Sequence, residues 1–302
     1  MTRLSQHLAG ALDPVRLAAQ IGLTPDPWQA RVLREPHHRD LLVVHRQGGK
    51  SVTAAVAAVH QGMFVPKSLI LVVSPSQRQS QELFRTMLTL YRSLGRPVPS
   101  ESENALSVTL ENGSRVVALP ADAVTIRGYS AANLLIIDEA AFVSDDTMVA
   151  VRPMLAVSNG RLLAMSTPWG RRGWFYEASR SPEWRVTVVT AEQCPRKHPD
   201  GKLVFSPEYL EAERAGMGEL KFRREYMCEF SDLAGLMFGA DDIAAIFESA
   251  GVGSPLLEPG RPPALPAKAV RRAKEPRCAH LWRDGRCVRC GWERPALEVE
   301  TC

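Results

Sequence analysis

Short apolar runs alternate with amphipathic stretches along most of this chain between residues 41 and 189. The runs predict strands at 41–45, 69–74, 134–138, 162–166 and 186–189. The remaining pattern predicts helices at 27–33, 50–61, 76–94, 145–155, 174–180, 207–215 and 220–228. Such alternation favours an α/β fold with a mostly parallel central sheet flanked by helices.

A hairpin is predicted inside this pattern. Asn112-Gly113 separates two further β-like runs, at 105–110 and 114–119. Gly and Asn tolerate the positive φ angles that a tight hairpin turn requires. We expect this hairpin to be a decoration of the parallel sheet.

Composition divides the chain into three parts. Residues 1–250 carry the predicted α/β domain, and 1–40 form its helical N-terminal segment. Residues 251–266 contain five prolines and three glycines, so we predict a linker at 251–270. Residues 271–302 form a small terminal unit.

The net charge of +4 is concentrated near the C-terminus, where residues 261–302 hold ten Lys and Arg against five Asp and Glu. A basic tail favours a polyanion such as DNA, although a solvated terminus explains the charge equally well. No apolar run reaches the roughly 18 residues of a transmembrane helix, and the N-terminus lacks a secretory signal pattern. We expect a cytoplasmic protein with no membrane partner, whose cysteines are free thiols or metal ligands.

Residues 45–51, HRQGGKS, follow the first predicted strand and open a helix, as a phosphate-binding loop does. Small residues let backbone N–H groups approach phosphates, Lys50 can reach the β and γ oxygens, and the Ser51 hydroxyl can bind Mg²⁺. Val44 stands where the usual pattern has its first glycine. The alternative is a tight turn beside an exposed lysine. The predicted nucleotide-binding residues are Gln29, Arg46, Gln47, Gly48, Gly49, Lys50 and Ser51.

An acidic pair, Asp138-Glu139, ends the apolar run at 134–137. Ligands of open α/β sheets bind at the carboxyl ends of the strands, and a buried carboxylate needs a partner. Asp138 is therefore predicted to bind Mg²⁺ through water, and Glu139 to polarise the attacking water. Together with the loop, this pair predicts an ATPase.

Three further positions have weaker signals. The Gln29 amide can pair with an adenine edge, and Arg46 can stabilise charge on the γ-phosphate, although it can equally be a solvent-facing arginine. Ser166-Thr167 ends a predicted strand and can report hydrolysis, or can simply form a strand-terminating turn.

These motifs and their order resemble those of large terminase subunits of tailed bacteriophages, and the resemblance covers about residues 12–247. It rests on PWQ at 27–29, RQGGKS at 46–51, SPS at 74–76, IRG at 126–128, IIDEAAF at 136–142, STPWG at 166–170, the 173–177 segment and REYMCEF at 224–230. The resemblance implies a P-loop ATPase of the additional-strand type, which binds ATP and Mg²⁺ and forms a homo-oligomeric ring. By the same match, Glu139 and Arg46 are catalytic, Ser51 and Asp138 bind Mg²⁺, and Ser166 and Thr167 couple hydrolysis to movement.

The implied partners are double-stranded DNA, the portal protein of a procapsid and the small terminase subunit, in the cytoplasm of a host cell. Full terminases continue into a nuclease domain, whereas residues after 251 offer no strand with clustered aspartates. We therefore expect ATP hydrolysis without DNA cleavage, from the ATPase part of a split terminase with a separate nuclease chain or of a truncated one.

Four residues near the C-terminus match the ligand types of tetrahedral Zn²⁺: Cys278, His280, Cys287 and Cys290. Zinc would replace the core that so short a unit cannot build. A basic tail with free thiols is the alternative. For the whole chain, the alternatives to a packaging motor are a helicase-like ATPase and a non-hydrolysing DNA-binding adaptor with a degenerate loop.

Overall fold

The computed structural model describes residues 3–122, 126–197, 201 and 203–231, and the backbone of 282–283 and 286–287. The chain forms two compact units, Met1–Ala244 and Ala245–Cys302. In the second unit the described backbone is one antiparallel pair, Trp282–Arg283 (β9) with Arg286–Cys287 (β10).

The first unit is built on an eight-stranded mixed sheet. Its strands are Arg39–Val44 (β1), Leu69–Ser74 (β2), Ser100–Glu103 (β3), Ser107–Leu110 (β4), Arg115–Pro120 (β5), Leu134–Asp138 (β6), Arg161–Ser166 (β7) and Arg185–Val189 (β8). Their order in the sheet is β3-β4-β5-β2-β6-β7-β1-β8. The pairs from β5 to β8 are all parallel, and β4 is antiparallel to both of its neighbours.

Helices cover the sheet on both faces. They are Arg3–Leu12 (α1), Pro14–Ala19 (α2), Pro27–Arg34 (α3), Lys50–Phe64 (α4), Gln77–Ser93 (α5), Asp145–Ala156 (α6), Gly173–Arg180 (α7), Pro207–Met217 (α8) and Glu219–Glu225 (α9). Even-numbered residues of β6 pack with α4 and α5 in one core, and odd-numbered residues pack with α6 and α7 in another. This is the period of two that a sheet buried on both faces requires. Within the described part of the chain, no helix is both long enough and apolar enough to cross a membrane.

Side-chain caps fix where several helices begin. The Ser76, Ser144 and Ser206 side chains accept hydrogen bonds from backbone N–H groups in the first turns of α5, α6 and α8. These serines satisfy donors that have no partner within the helix. The helix starts are therefore local consequences of the sequence.

A buried ion cluster joins the last three strands at one side of the sheet, β7, β1 and β8, at their amino ends. The Asp40 carboxylate on β1 is fully buried and pairs with Arg161 on β7 at 2.8 Å and with Arg185 on β8 at 2.6 Å. Both arginines donate hydrogen bonds to the Asp40 carboxylate. The cluster therefore connects β7 and β8 to β1, the strand that precedes the glycine-rich loop.

The α/β class and the mostly parallel sheet are confirmed, and the predicted strands and helices agree with the observed ones to within a few residues. The hairpin, β4 and β5, is present, but the expectation that it only decorates the sheet is wrong. Its second strand pairs with β2 in parallel over six residues and so belongs to the main sheet. β3 was not predicted, because its sequence, SESE, has no apolar alternation.

Candidate nucleotide site

The glycine-rich loop lies at the carboxyl end of β1 and leads directly into α4. Gly49 is the N-cap of α4 and has φ = 91°, which only glycine adopts without strain. A side chain at Gly48 would collide with Val44, so the valine at the loop's first position is accommodated because residue 48 is glycine. The loop thus keeps its form without the usual leading glycine.

A cavity of about 540 Å³ opens over this loop. Eight of the residues that the sequence indicates line it: Arg46, Gln47, Gly48, Gly49, Lys50, Ser51, Glu139 and Thr167. Four further residues line it that were not among the predicted site residues: Val52, Phe142, Arg196 and Glu225.

Lys50 is buried at the base of the loop. Its ammonium group donates hydrogen bonds to the carbonyl oxygens of Val44 at 2.9 Å and His45 at 3.2 Å. Burial lowers its pKa, and the carboxylates of Glu139 and Asp138 act in the opposite direction. The lysine therefore faces both members of the acidic pair.

Asp138 ends β6, and Glu139 follows it in a left-handed conformation with φ = 48°. The Glu139 N–H donates to the Asp138 carboxylate at 3.0 Å. Burial, with the charge of Glu139, raises the pKa of Asp138 to about 6. Two adjacent carboxylates in so dry a place are costly unless a cation shares them. The strained backbone of Glu139 aims its side chain into the cavity.

Ser166 and Thr167 lie between the loop and the acidic pair, because β7 separates β1 from β6 in the sheet. The Ser166 hydroxyl donates to the Glu139 carboxylate at 3.3 Å, and Thr167 lines the cavity. The two residues are thus in contact with the site, while their predicted coupling role stays a prediction.

Gln29 is buried beside the loop and does not line the cavity. Its amide N–H groups donate to the Gly49 carbonyl at 3.2 Å and the Thr53 hydroxyl at 2.8 Å, and its oxygen accepts the Asp26 N–H at 2.8 Å. In this arrangement its amide supports the loop. Recognition of adenine by Gln29 stays a prediction.

The segment before residue 231 also reaches the loop. The Glu225 carbonyl accepts the Arg46 N–H at 2.9 Å, and the Arg224 guanidinium stacks on Trp169 at 3.9 Å from the ring centre. The Glu225 carboxylate accepts from Arg224 at 3.2 Å. The motif at 224–230 therefore lies against both the loop and the segment after β7.

The predicted zinc ligands Cys278, His280 and Cys290 lie outside the described residues, and for Cys287 only the backbone is described. In the described part of the chain, Cys194 and Cys228 are free, buried thiols. Burial raises the pKa of the Cys228 thiol to about 12, so it is protonated. The zinc site stays a prediction.

Comparison with known sequences gives two kinds of match. A family model for the helicase domain of RNA cytidine acetyltransferase NAT10/TcmA matches residues 41–179, less than half of the chain. The large terminase subunit of Thermus phage G20c is 27% identical over 255 residues, which is 74% of this chain and 52% of that protein. The chain therefore spans about half the length of the curated relative it matches.

Solved structures agree on the fold. The ATPase domain of the large terminase of Thermus phage P74-26 has a TM-score of 0.62 and 21% identity, covering 71% of this chain and 97% of that domain. The large terminase of a thermophilic bacteriophage, solved in complex with ADP, has a TM-score of 0.54 and 11% identity, covering 68% of this chain and 54% of that one. The large terminase of bacteriophage HK97 has a TM-score of 0.55 and 19% identity, covering 69% of this chain and 51% of that one.

A mostly parallel sheet with a glycine-rich loop after β1 and an acidic pair after β6 defines an α/β protein of the P-loop type. The sequence and fold matches together make the chain a relative of the ATPase part of phage large terminase subunits. The resemblance indicated by its motifs is confirmed for that part.

Proposed function

We propose that this chain is the ATP-hydrolysing part of a DNA-packaging terminase. The single observation that carries the proposal is that Lys50, Glu139 and Thr167 line one cavity, while Asp138 and Ser166 are each hydrogen-bonded to Glu139. In finer detail, we assign the fold to P-loop ATPases of the additional-strand type. The position of β7 between the loop strand β1 and the acidic strand β6 supports this assignment.

The chemistry of the cavity fits a nucleoside triphosphate with Mg²⁺. Lys50 would exchange the carbonyls of Val44 and His45 for β and γ phosphate oxygens, and Ser51 and Asp138 would hold the metal. A second observation supports a metal here. Ser74 ends β2 beside the end of β6, and its buried hydroxyl has no hydrogen-bond partner among the described residues.

In the proposed reaction, Glu139 orients the attacking water and accepts its proton, while Ser166 holds the Glu139 carboxylate by a hydrogen bond. Bound Mg²⁺ would neutralise charge on the phosphate oxygens. Arg46, exposed on the cavity wall, is the side chain available to stabilise charge on the γ-phosphate. The thermophilic-phage terminase described above, crystallised with ADP and with ATP-γ-S, supports nucleotide binding by this fold.

The proposal is tested by ATP turnover of the purified full chain and its Glu139→Gln variant. Loss of a general base typically costs about 10²–10⁴-fold in rate, so the variant should bind ATP and turn it over at least about a hundredfold more slowly. Glu82→Gln, an exposed glutamate on α5, is the matched control. Equal rates in Glu139→Gln and the parent would overturn the catalytic assignment.

The proposed partners are double-stranded DNA, the portal of a procapsid, the small terminase subunit and a separate nuclease chain, within a homo-oligomeric ring. The match of residues 41–179 to a helicase-domain model favours one competing function, a helicase-like ATPase acting on other nucleic acids. Stimulation of ATP turnover by procapsids that carry portals, above that by free DNA or RNA, supports the packaging motor. Stimulation by free nucleic acid alone supports the helicase-like function.

A further inference from the structure

Arg196 lies against the glycine-rich loop and lines the same cavity. It follows β8 in the chain, and its guanidinium donates to the carbonyl oxygens of Gln47 at 3.0 Å and Gly48 at 2.8 Å. Its Nε donates to the Asp26 carboxylate at 3.1 Å. Three of the five N–H groups of this arginine are thus fixed, in the forked geometry that only a guanidinium offers.

Asp26, the carboxylate partner of Arg196, and the backbone of Arg196 itself are both held in place. Asp26 is almost buried, and its backbone N–H is fixed by Gln29, whose amide also binds the Gly49 carbonyl. The Arg196 carbonyl accepts the Val204 N–H at 2.9 Å. Phe205 next to it packs edge-on against His45, with the ring centres 4.7 Å apart. The arginine is therefore a rigid connection and not a loose surface side chain.

The contacts of Arg196 decide which way the loop's peptide groups point. In a planar trans peptide the C=O of one residue and the N–H of the next point in opposite directions. Holding the Gly48 carbonyl therefore also fixes the direction of the Gly49 N–H in the loop. The same clamp holds the carbonyl of Gln47, a non-glycine residue with φ = 60°. Such a left-handed conformation is strained for a residue with a side chain and needs support from its surroundings.

We propose that Arg196, aligned by Asp26, is a positioning residue that holds the loop open for phosphate before any nucleotide binds. It supports the loop where Gln47 adopts a left-handed conformation, by holding the carbonyls of Gln47 and Gly48. The clamp also places a fixed positive charge on the cavity wall, which favours a polyphosphate over an uncharged nucleoside. This inference rests on the proposed function only where nucleotide binding and turnover are measured.

Three variants of the full chain test the clamp: Arg196→Ala, Arg196→Lys and Asp26→Asn. Arg85→Ala, an exposed arginine on α5, is the matched control. We expect the Kd for ADP and the KM for ATP to rise at least tenfold in Arg196→Ala, with a smaller change in kcat. Arg196→Lys restores the charge but not the fork, so it should recover only part of the affinity. Asp26→Asn should show an intermediate loss.

Hydrogen exchange of the nucleotide-free protein gives a second readout. Amides of residues 46–50 should exchange at least tenfold faster in Arg196→Ala than in the parent, while the amides of β6 are unchanged. If the parent binds ADP and Arg196→Ala binds it equally well, with unchanged exchange in the loop, the clamp is refuted and the ATPase proposal stands. If the parent binds no nucleotide, the ATPase proposal fails, and the exchange experiment still decides the clamp.

Discussion

The Ser166 hydroxyl donates a hydrogen bond to the Glu139 carboxylate at 3.3 Å, across the boundary between β7 and β6. The serine is fully buried, whereas Glu139 is half-buried and lines the cavity. It connects the end of the strand next to the loop with the residue proposed to activate water. Under the proposed function, this contact would carry a movement of the segment after β7 to Glu139.

Replacement of Ser166 by alanine should slow ATP turnover without preventing ATP binding. One hydrogen bond of this kind contributes about 1 kcal/mol, which corresponds to roughly a fivefold loss in kcat. The matched control is Ser80→Ala, which removes an equally buried hydroxyl whose acceptor is the Leu119 carbonyl on another part of the sheet. An unchanged kcat in Ser166→Ala would show that the contact has no part in turnover.

Replacement of Asp138 by asparagine should stabilise the metal-free protein at neutral pH. The folded-state pKa of Asp138, about 6, lies above its ordinary value of 3.8. Between these values the folded state binds more protons than the unfolded state, so this group's contribution to stability falls as pH rises through that window. Above pH 6 Asp138 is ionised in both states, and burial of its charge then lowers the stability of the folded state by on the order of 1–3 kcal/mol.

Thermal unfolding without Mg²⁺ measures this effect. Asp138→Asn should melt several degrees above the parent near pH 7.5, and the gain should shrink as pH approaches about 4. Asp146→Asn, an exposed aspartate on α6, is the control. A gain that does not depend on pH would contradict the assignment of the cost to ionised Asp138.

Replacement of Asp40 by asparagine should be strongly destabilising. It removes the only carboxylate that Arg161 and Arg185 share in the described ion pairs, and leaves two largely buried guanidinium groups without a counter-charge. Breaking a buried pair from one side costs about 3–5 kcal/mol. Urea unfolding should give that loss, whereas Glu82→Gln, in an exposed pair with Arg85, should lose less than about 1 kcal/mol. Similar losses in the two variants would show that the cluster is not the main tie between these strands.

The C-terminal cysteines lead to a prediction from the sequence alone. Native mass spectrometry of the full chain should detect one Zn²⁺ per chain, and Cys290→Ser should lose it. Cys302→Ser changes a cysteine of the same tail outside the predicted ligand set and should keep the metal. A parent chain without zinc would leave the basic tail as the correct interpretation.

Local patterns predicted most of the fold. Strands such as β2 and β6 are apolar runs with turn residues on both sides, and the caps at Ser76, Ser144 and Ser206 have local signatures. β5 was located correctly, but its pairing with β2 was not predicted, because pairing depends on residues far apart in the chain. Sequence periodicity identifies a strand without naming its neighbours.

The candidate site was also predicted only in part from the sequence. The loop and the acidic pair are short, contiguous motifs, so the sequence identified Lys50 and Glu139. Arg196 was missed because its partners on the loop are backbone carbonyls, which leave no trace in side-chain identity. Val44 in place of the leading glycine was visible in the sequence, but it did not point to Arg196.

The place of β1 in the sheet has a consequence for synthesis of the chain. β1 ends at Val44, yet its two neighbours are β7, from Arg161, and β8, from Arg185. Because the ribosome releases the N-terminal part first, β1 must wait for most of the domain before it gains either partner. A nascent chain halted before residue 161 would carry the entire loop sequence without the two strands that shape its base.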